Sequence, residues 1–175
     1  MIWTIGHATR ALDELVELLR AHGVTQLVDV RTIPRSRRNP QFNRETLPES
    51  LGAGGITYAH MPGLGGLRRP RPDSVNAGWR NQGFRGFADY MQTPEFAKNL
   101  EALVALSRRR PTAIMCAETV PWRCHRSLVA DALTVRGIPV EHIVSTGGAA
   151  PHALTPWARV EGTTLTYPAS GRSSA

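Results

Sequence analysis

The stretch IWTIGHATRALDELVELLRAHGVTQLVDV, residues 2–30, decides the fold class. Residues 2–5 and 26–30 are short apolar runs, which are typical of buried strands. Between them, residues 11–22 place apolar side chains on one face of a helix, and Gly23 supplies the residue that ends it. A strand, a helix and a second strand at this spacing predict a right-handed crossover between two parallel strands.

The alternation of strands and helices continues along the chain. The pattern predicts further strands at residues 56–60, 112–116 and 140–144, and helices at residues 43–53, 94–110 and 123–136. The segment from Met61 to about Arg85 has no clear periodicity, so we expect a long loop there. We therefore predict an α/β fold: a single domain with a mostly parallel sheet, helices on both faces, and long basic loops at the carboxyl edge of the strands.

The composition changes near the end of the chain, which becomes polar and glycine-rich after Ser145. We place the α/β core domain at residues 1–144 and a C-terminal extension at residues 145–175. Within the extension, ARVEGTTLTY predicts a small hairpin that turns at Glu161 and Gly162. The last residues, ASGRSSA, are expected to be disordered, so the extension is predicted to be partly disordered.

The charge of the protein points to an anionic partner. The net charge is +7, and almost all of the 21 basic residues are arginine. Ten of the arginines lie between Arg31 and Met91, where only four acidic residues accompany them. A GC-rich genome would explain arginine in place of lysine, but it would not explain this concentration. Arginine binds phosphate and carboxylate groups in a planar, bidentate geometry.

The sequence also indicates where the protein works. It opens directly on a strand-like run rather than on a leader, and it has no apolar run long enough to span a membrane. We therefore expect a cytoplasmic protein with no membrane partner. Its two cysteines, Cys116 and Cys124, are expected to be free thiols, because the cytoplasm is reducing.

Ligands of such sheets bind beyond the carboxyl ends of the strands. We expect phosphate to be bound at this edge by five arginines: Arg31, Arg35, Arg38, Arg123 and Arg126. The candidate catalytic residues are Cys124, Glu118 and His7. The residues expected to support them are Asp29, Cys116, His125 and His60.

The segment CAETVPWRCHRSL, residues 116–128, carries the densest chemistry of the chain. It lies where a strand gives way to a helix, whose first turn presents unpaired N–H groups and the positive end of the helix dipole. With Arg123 and Arg126 beside that turn, a phosphate is the natural occupant. The alternative is that Arg126 pairs with a structural carboxylate such as Asp29.

The two thiols of this segment, Cys116 and Cys124, allow several interpretations. At a helix start, Cys124 is expected to have a lowered pKa and to be nucleophilic. It is equally a residue type that packs as a small apolar side chain. A redox pair or a metal site built on Cys116 and Cys124 stays an open alternative. Their spacing of eight residues matches neither the two-residue gap of redox motifs nor a recognised spacing of metal ligands. The leading hypothesis needs no cofactor and no metal.

Two further features have both a functional and a structural explanation. Glu118 follows the strand end and is a candidate acid or base, or else an ion-pair partner of one of the arginines. Aromatic residues are interspersed among the arginines of the middle third: Phe42, Trp79, Phe84, Phe87 and Tyr90. Such residues stack on nucleic-acid bases, or they attach long loops to the body of the protein.

Together these segments resemble domain-of-unknown-function family 488. The matching stretches are WTIGHATR, LVDVRTIPRSRRNPQFN, LGGLRRPRPDS, GWRNQGFRGFADYM and CAETVPWRCHRSLVADAL. They extend from Trp3 to about Ile143. The resemblance implies an α/β fold and brings no established reaction with it, so the residue roles above rest on position and chemistry.

Three hypotheses follow for function. The first is a cytoplasmic protein that binds, and also processes, a phosphate-bearing ligand at the carboxyl edge, either a nucleotide or a nucleic acid. The second is a nucleic-acid-binding module without turnover. The third is a thiol redox sensor or a metal-binding protein that uses Cys116 and Cys124.

Overall fold

The computed structural model describes residues 1–169, which contain one six-stranded sheet and a separate two-stranded hairpin. The strands of the sheet are β1 (Ile2–Gly6), β2 (Gln26–Asp29), β3 (Thr57–His60), β4 (Thr112–Cys116), β5 (Val140–Ser145) and β6 (Gly148–Pro151). Their order is β3-β2-β4-β1-β5-β6, in which β1 to β5 are parallel and β6 is antiparallel to β5. The predicted α/β fold with a mostly parallel sheet is confirmed.

Helices cover both faces of the sheet. They are α1 (Leu12–Ala21), α2 (Leu47–Ala53), α3 (Gln82–Tyr90), α4 (Pro94–Arg109) and α5 (Arg126–Val135). Successive strand residues point to opposite faces. Accordingly, Val28 and Ile114 pack with α3, α4 and α5, whereas Leu27 and Met115 pack with α1 and α2. Burial on both faces explains why the central strands are almost continuously apolar.

The connections between strands create a crevice at one edge of the sheet. α1 leads from β1 towards β2 on one side, and α5 leads from β4 towards β5 on the other. Because β1 and β4 are neighbours whose connections leave in opposite directions, a crevice opens between their carboxyl ends. Gly6, the last residue of β1, lies so close to the loop after β4 that a Cβ there would overlap the carbonyl of Glu118. This close approach seats the loop against β1.

Helix α3 occupies part of the segment that we expected to be a loop. Asn81 caps it, because its side chain accepts a hydrogen bond from the backbone N–H of Phe84 at 3.1 Å. Phe87 is fully buried and Tyr90 nearly so. Gly86 lies inside the helix, where a Cβ would overlap the carbonyl of Arg68. Glycine within the helix weakens the periodic signal, which is why the sequence pattern missed α3.

The C-terminal residues contribute to the core. The predicted hairpin is present as β7 (Arg159–Glu161) and β8 (Thr164–Thr166), and β6 adds an antiparallel edge strand to the sheet. Leu165 and Tyr167 are buried in the core beside α5. Residues 145–169 therefore pack with residues 1–144. The predicted disorder of the last residues concerns 170–175, which lie outside the described residues.

Candidate functional site

A cavity of about 750 Å³ opens at the carboxyl ends of β1, β2 and β4. The sequence-predicted site residues that line it are His7, Arg31, Arg35, Arg38, Cys116, Glu118, Arg123, Cys124 and His125. Asp29, His60 and Arg126 are not among the lining residues. The edge of the sheet thus brings most of the candidate residues to one place. The remaining three form hydrogen bonds with residues that line the cavity.

A buried ion pair fixes one wall of the cavity. The Arg31 guanidinium donates to both carboxylate oxygens of the fully buried Asp29, at 2.9 Å from Nε and 2.7 Å from NH2. The Tyr58 hydroxyl donates to the same carboxylate at 2.6 Å. His60 Nε2 donates to the Arg31 carbonyl at 2.7 Å. Because Asp29 already balances its charge, Arg31 contributes shape to the cavity more than free positive charge.

His7 lies on the same wall of the cavity, and its imidazole ring is uncharged. Its Nδ1 donates to the Ala8 carbonyl at 2.9 Å, and its Nε2 accepts from Arg31 NH1 at 3.3 Å. A guanidinium can only donate, so these contacts fix the tautomer. Burial, helped by the Arg31 charge, lowers the pKa of His7. Both ring nitrogens are engaged by these contacts, and the candidate role of His7 in chemistry stays a prediction.

Arg126 differs from the sequence expectation. Its side chain is buried, and its Nε donates to Thr4 Oγ1 at 3.2 Å. NH1 donates to Cys116 Sγ at 2.8 Å and to the Glu118 carbonyl, and NH2 donates to the Thr119 carbonyl at 2.8 Å. These protein acceptors engage four of its five N–H groups, and the side chain is not among those that line the cavity. Its direct contact with phosphate stays a prediction. Arg126 clamps the loop after β4, which no sequence pattern had indicated.

The pKa of the Cys124 thiol also differs from the sequence expectation. Burial and hydrogen bonding to Cys116 raise the pKa of Cys124, in contrast to the lowered value expected at a helix start. Burial alone would raise the pKa of Cys116 as well. The hydrogen bond from Cys124 and the charge of Arg126 outweigh that effect and lower it to about 7. The structure therefore places the more acidic thiol at Cys116.

His125 stands beside Cys124 on the cavity floor. Its Nε2 donates to the Val30 carbonyl at 3.1 Å, which leaves the Nδ1 lone pair directed at Cys124 Sγ, 3.6 Å away. Burial lowers the pKa of His125 to about 4, so the ring is uncharged at neutral pH. His125 is the residue just before α5, which begins at Arg126.

The mouth of the cavity is basic and exposed. Arg38 and Arg123 both line it, and within residues 1–169 neither forms an ion pair with a carboxylate. Arg35 also lines it but pairs with Glu45 at 3.0 Å on the surface. Glu118 is the one acidic side chain among the lining residues of this cavity, and its Oε1 accepts from the backbone N–H of Val120 at 3.2 Å.

Most of the aromatic residues considered for base stacking are used for packing. Phe42 and Phe87 are fully buried, and Tyr90 is nearly buried with the Arg68 guanidinium 3.6 Å above its ring. Trp79 packs edge-on against Phe84. Phe84 alone among these residues lines the cavity. The structural explanation therefore accounts for most of these side chains.

A relay of buried hydrogen bonds, which the sequence did not indicate, runs from Arg126 at the start of α5 to Asp131 in the same helix. Arg126 must donate to Thr4, so the Thr4 hydroxyl donates to His142 Nδ1 at 2.5 Å. His142 Nε2 donates to His152 Nδ1 at 2.8 Å, and His152 Nε2 donates to Asp131 at 2.7 Å. The donor-only guanidinium and the acceptor-only carboxylate fix every proton between them. Only tertiary structure brings these distant residues together.

The relay predicts acid sensitivity. Burial and the nearby His152 and Arg126 lower the pKa of His142 to about 4. Unfolded histidine titrates near 6.5, so the unfolded state takes up a proton first, and the stability present above that value is lost as the pH falls towards 4. We expect this single group to remove about 2 kcal/mol between pH 7 and pH 5. Urea denaturation should show a shallower pH slope for His142→Gln, and equal slopes would contradict the assignment.

Two further properties concern metal ions and membranes. Among residues 1–169, no group of three or more His, Cys, Asp or Glu side chains is arranged to hold a metal ion. Within the same part of the chain, none of the helices is both long and apolar enough to cross a membrane.

Comparison with known proteins identifies a family. No curated protein and no solved structure matched the chain. The sequence model of the family described as "Domain of unknown function DUF488" matches residues 11–133, which include α1 to α4, strands β2 to β4 and most of α5. This match covers well over half of the sequence and contains most of the residues that line the cavity. The chain therefore belongs to the DUF488 family.

Proposed function

We propose that the protein binds a phosphate-bearing small molecule, with nucleotides as the leading class, in the cavity at the carboxyl edge of the sheet. The observation that carries this proposal is the pair of exposed, unpaired arginines, Arg38 and Arg123, at the mouth of a deep cavity. Among the described residues that line the cavity, Glu118 supplies the single carboxylate. Their field favours anions, and the guanidinium geometry suits phosphate oxygens.

The lining of the cavity suits the rest of a nucleotide. Ile33 and Leu67, both exposed, and Phe84 supply apolar surface, and Thr32, Asn39 and Asn81 supply polar groups among them. Pockets for small ligands commonly combine an apolar surface with a few placed polar groups. The volume of about 750 Å³ accommodates a ligand of nucleotide size. The proposed setting is the cytoplasm, whose reducing conditions keep thiols reduced in the resting state.

Binding titrations test the proposal. We expect a nucleoside diphosphate or monophosphate to bind, and the matching nucleoside to bind far more weakly. Replacing Arg38 or Arg123 with alanine should weaken binding about 10- to 100-fold, which corresponds to the loss of one charged hydrogen bond. Calorimetry with a panel of nucleotides measures both effects.

A matched control is available at the opposite edge of the sheet. Arg109 ends α4 just before β4 begins, so Arg109→Ala removes the same charge from the amino edge. We expect this variant to bind like the wild type. Equal weakening by all three substitutions would show only a general effect of net charge, and no binding of any phosphate-bearing ligand would refute the proposal.

Nucleic acid is the competing ligand, and salt dependence distinguishes it from a nucleotide. A protein that neutralises many phosphates loses affinity steeply as salt rises, whereas a ligand held by two or three arginines has a shallow slope. We expect the shallow slope, because most candidate stacking residues are buried. A steep slope with single-stranded oligonucleotides would favour the binding module instead.

A further inference from the structure

The cavity floor holds two thiols that share one local network. Cys116 and Cys124 are both buried, both line the cavity, and both are free. Both sulfurs contact Arg126: the Cys116 sulfur accepts from its guanidinium at 2.8 Å, and the Cys124 sulfur accepts from its backbone N–H at 3.5 Å. Two thiols that line one open cavity and share a contact residue are placed to react as a pair with a small reagent.

The network distinguishes the two sulfurs. Arg126 NH1 lies 2.8 Å from Cys116 Sγ, so a permanent positive charge faces that sulfur directly. Negative charge is therefore favoured on Cys116, whereas Cys124 keeps its proton and donates it towards Cys116. His125 Nδ1, with its lone pair 3.6 Å from Cys124 Sγ, lies beside that thiol and helps to orient it.

We propose that Cys116 and Cys124 form a dithiol–disulfide centre that reduces hydroperoxides, in which Cys116 is the attacking thiolate and Cys124 the resolving thiol. The geometry carries this assignment through the contact of Arg126 with one sulfur and of His125 with the other. The proposal needs no bound nucleotide, so it stands or falls separately from the function proposed above.

The reaction balances without a further cofactor. The Cys116 thiolate attacks one oxygen of the hydroperoxide: an S–O bond forms, the O–O bond breaks, and the alkoxide that leaves takes a proton from water. Cys116 becomes a sulfenic acid, oxidised by two electrons, and the hydroperoxide becomes an alcohol. Cys124 then attacks the Cys116 sulfur, and its proton passes to the departing hydroxide. The S–S bond forms, the S–O bond breaks, and the hydroxide leaves with that proton as water.

Oxidation has a structural consequence for the cavity mouth. Arg126 binds the Cys116 sulfur together with the carbonyls of Glu118 and Thr119. Disulfide formation removes the negative charge that helps to hold the guanidinium in place. The loop that leads to Arg123 then loses part of its anchor. We therefore expect the backbone of residues 117–123 to open more readily in the oxidised protein.

Mass spectrometry tests the chemistry on the wild-type chain. After hydrogen peroxide treatment we expect the loss of two hydrogen atoms and a peptide that links Cys116 to Cys124. Alkylation with iodoacetamide as a function of pH should show Cys116 reacting with a midpoint near 7, well ahead of Cys124. Preferential alkylation of Cys124 would overturn the assignment, as would oxidation to sulfinic acid without a disulfide.

Variants separate the two roles. In Cys124→Ser, whose fold is checked by circular dichroism, a sulfenic acid at Cys116 should be trapped by dimedone. In Cys116→Ser we expect neither trapping nor a disulfide, and dimedone on Cys124 there would reverse the roles.

Hydrogen exchange measures the effect of oxidation on the loop. Amides of residues 117–123 should exchange faster after oxidation, and unchanged exchange would refute the predicted loosening of the loop.

Discussion

Replacing Arg126 with alanine is expected to lower the free energy of unfolding by about 3–5 kcal/mol, the range found when one partner of a buried charged network is removed. The side chain is 1 % exposed and donates to Thr4, to the Cys116 sulfur, and to two carbonyls of the loop after β4. Alanine would remove this donor from the buried Thr4 hydroxyl and Cys116 sulfur, and from the partly buried carbonyls of Glu118 and Thr119. It would also leave the loop, and with it the cavity mouth, without its clamp.

Arg123→Ala is the matched control, because Arg123 lies three residues earlier on the same segment with an exposed side chain. We expect its stability to stay within about 0.5 kcal/mol of the wild type, as for most surface substitutions. Urea denaturation of the three proteins measures the difference. Similar stabilities for the two variants would mean that Arg126 is not the clamp described here.

The second large effect is expected for Asp131→Ala, which should also cost about 3–5 kcal/mol. The fully buried carboxylate accepts from His152, from the backbone and hydroxyl of Thr155, and from the Tyr167 hydroxyl at 2.7 Å. Burial raises the pKa of Tyr167, which keeps the phenol protonated as a donor. One carboxylate of α5 thus holds three residues that follow the predicted core domain.

Asp73→Ala provides the control for this substitution. Its side chain is 73 % exposed and pairs with Arg71 on the surface, where such pairs contribute little. We expect a change of less than about 1 kcal/mol for Asp73→Ala. If Asp131→Ala were no more destabilising than Asp73→Ala in thermal or urea denaturation, residues 145–169 would have to be regarded as an appendage to the core.

The regular part of the fold could be predicted from the sequence because apolar periodicity reports local structure. The crossover from residue 2 to residue 30, the capped start of α4 at Thr93 and the small hairpin near Gly162 all follow from such local signals. Helix α3 and strand β6 could not be predicted in the same way. The glycines of α3 obscure its apolar face, and β6 is a short strand defined by its pairing with β5.

The site was only partly predictable for a related reason. The rule that ligands bind at the carboxyl edge correctly gathered residues that end strands, such as His7 and Cys116. The direction of a side chain at that edge is decided by tertiary contacts. The Arg126 side chain therefore points inwards to the Cys116 sulfur, where its charge lowers the pKa of that thiol, while the pKa of Cys124 is raised. Thr4, His142 and His152 carried no sequence signal for the relay that joins them.

The most direct test of the central claim is amide chemical-shift mapping of the isotope-labelled protein during titration with a nucleoside diphosphate. The account predicts that the largest shifts fall in segments that line the cavity, residues 7–9, 31–39, 66–67, 81–84 and 116–125. Shifts confined to the amino edge of the sheet, around Arg109, would contradict it. So would a spectrum that stays unchanged with every phosphate-bearing ligand tested.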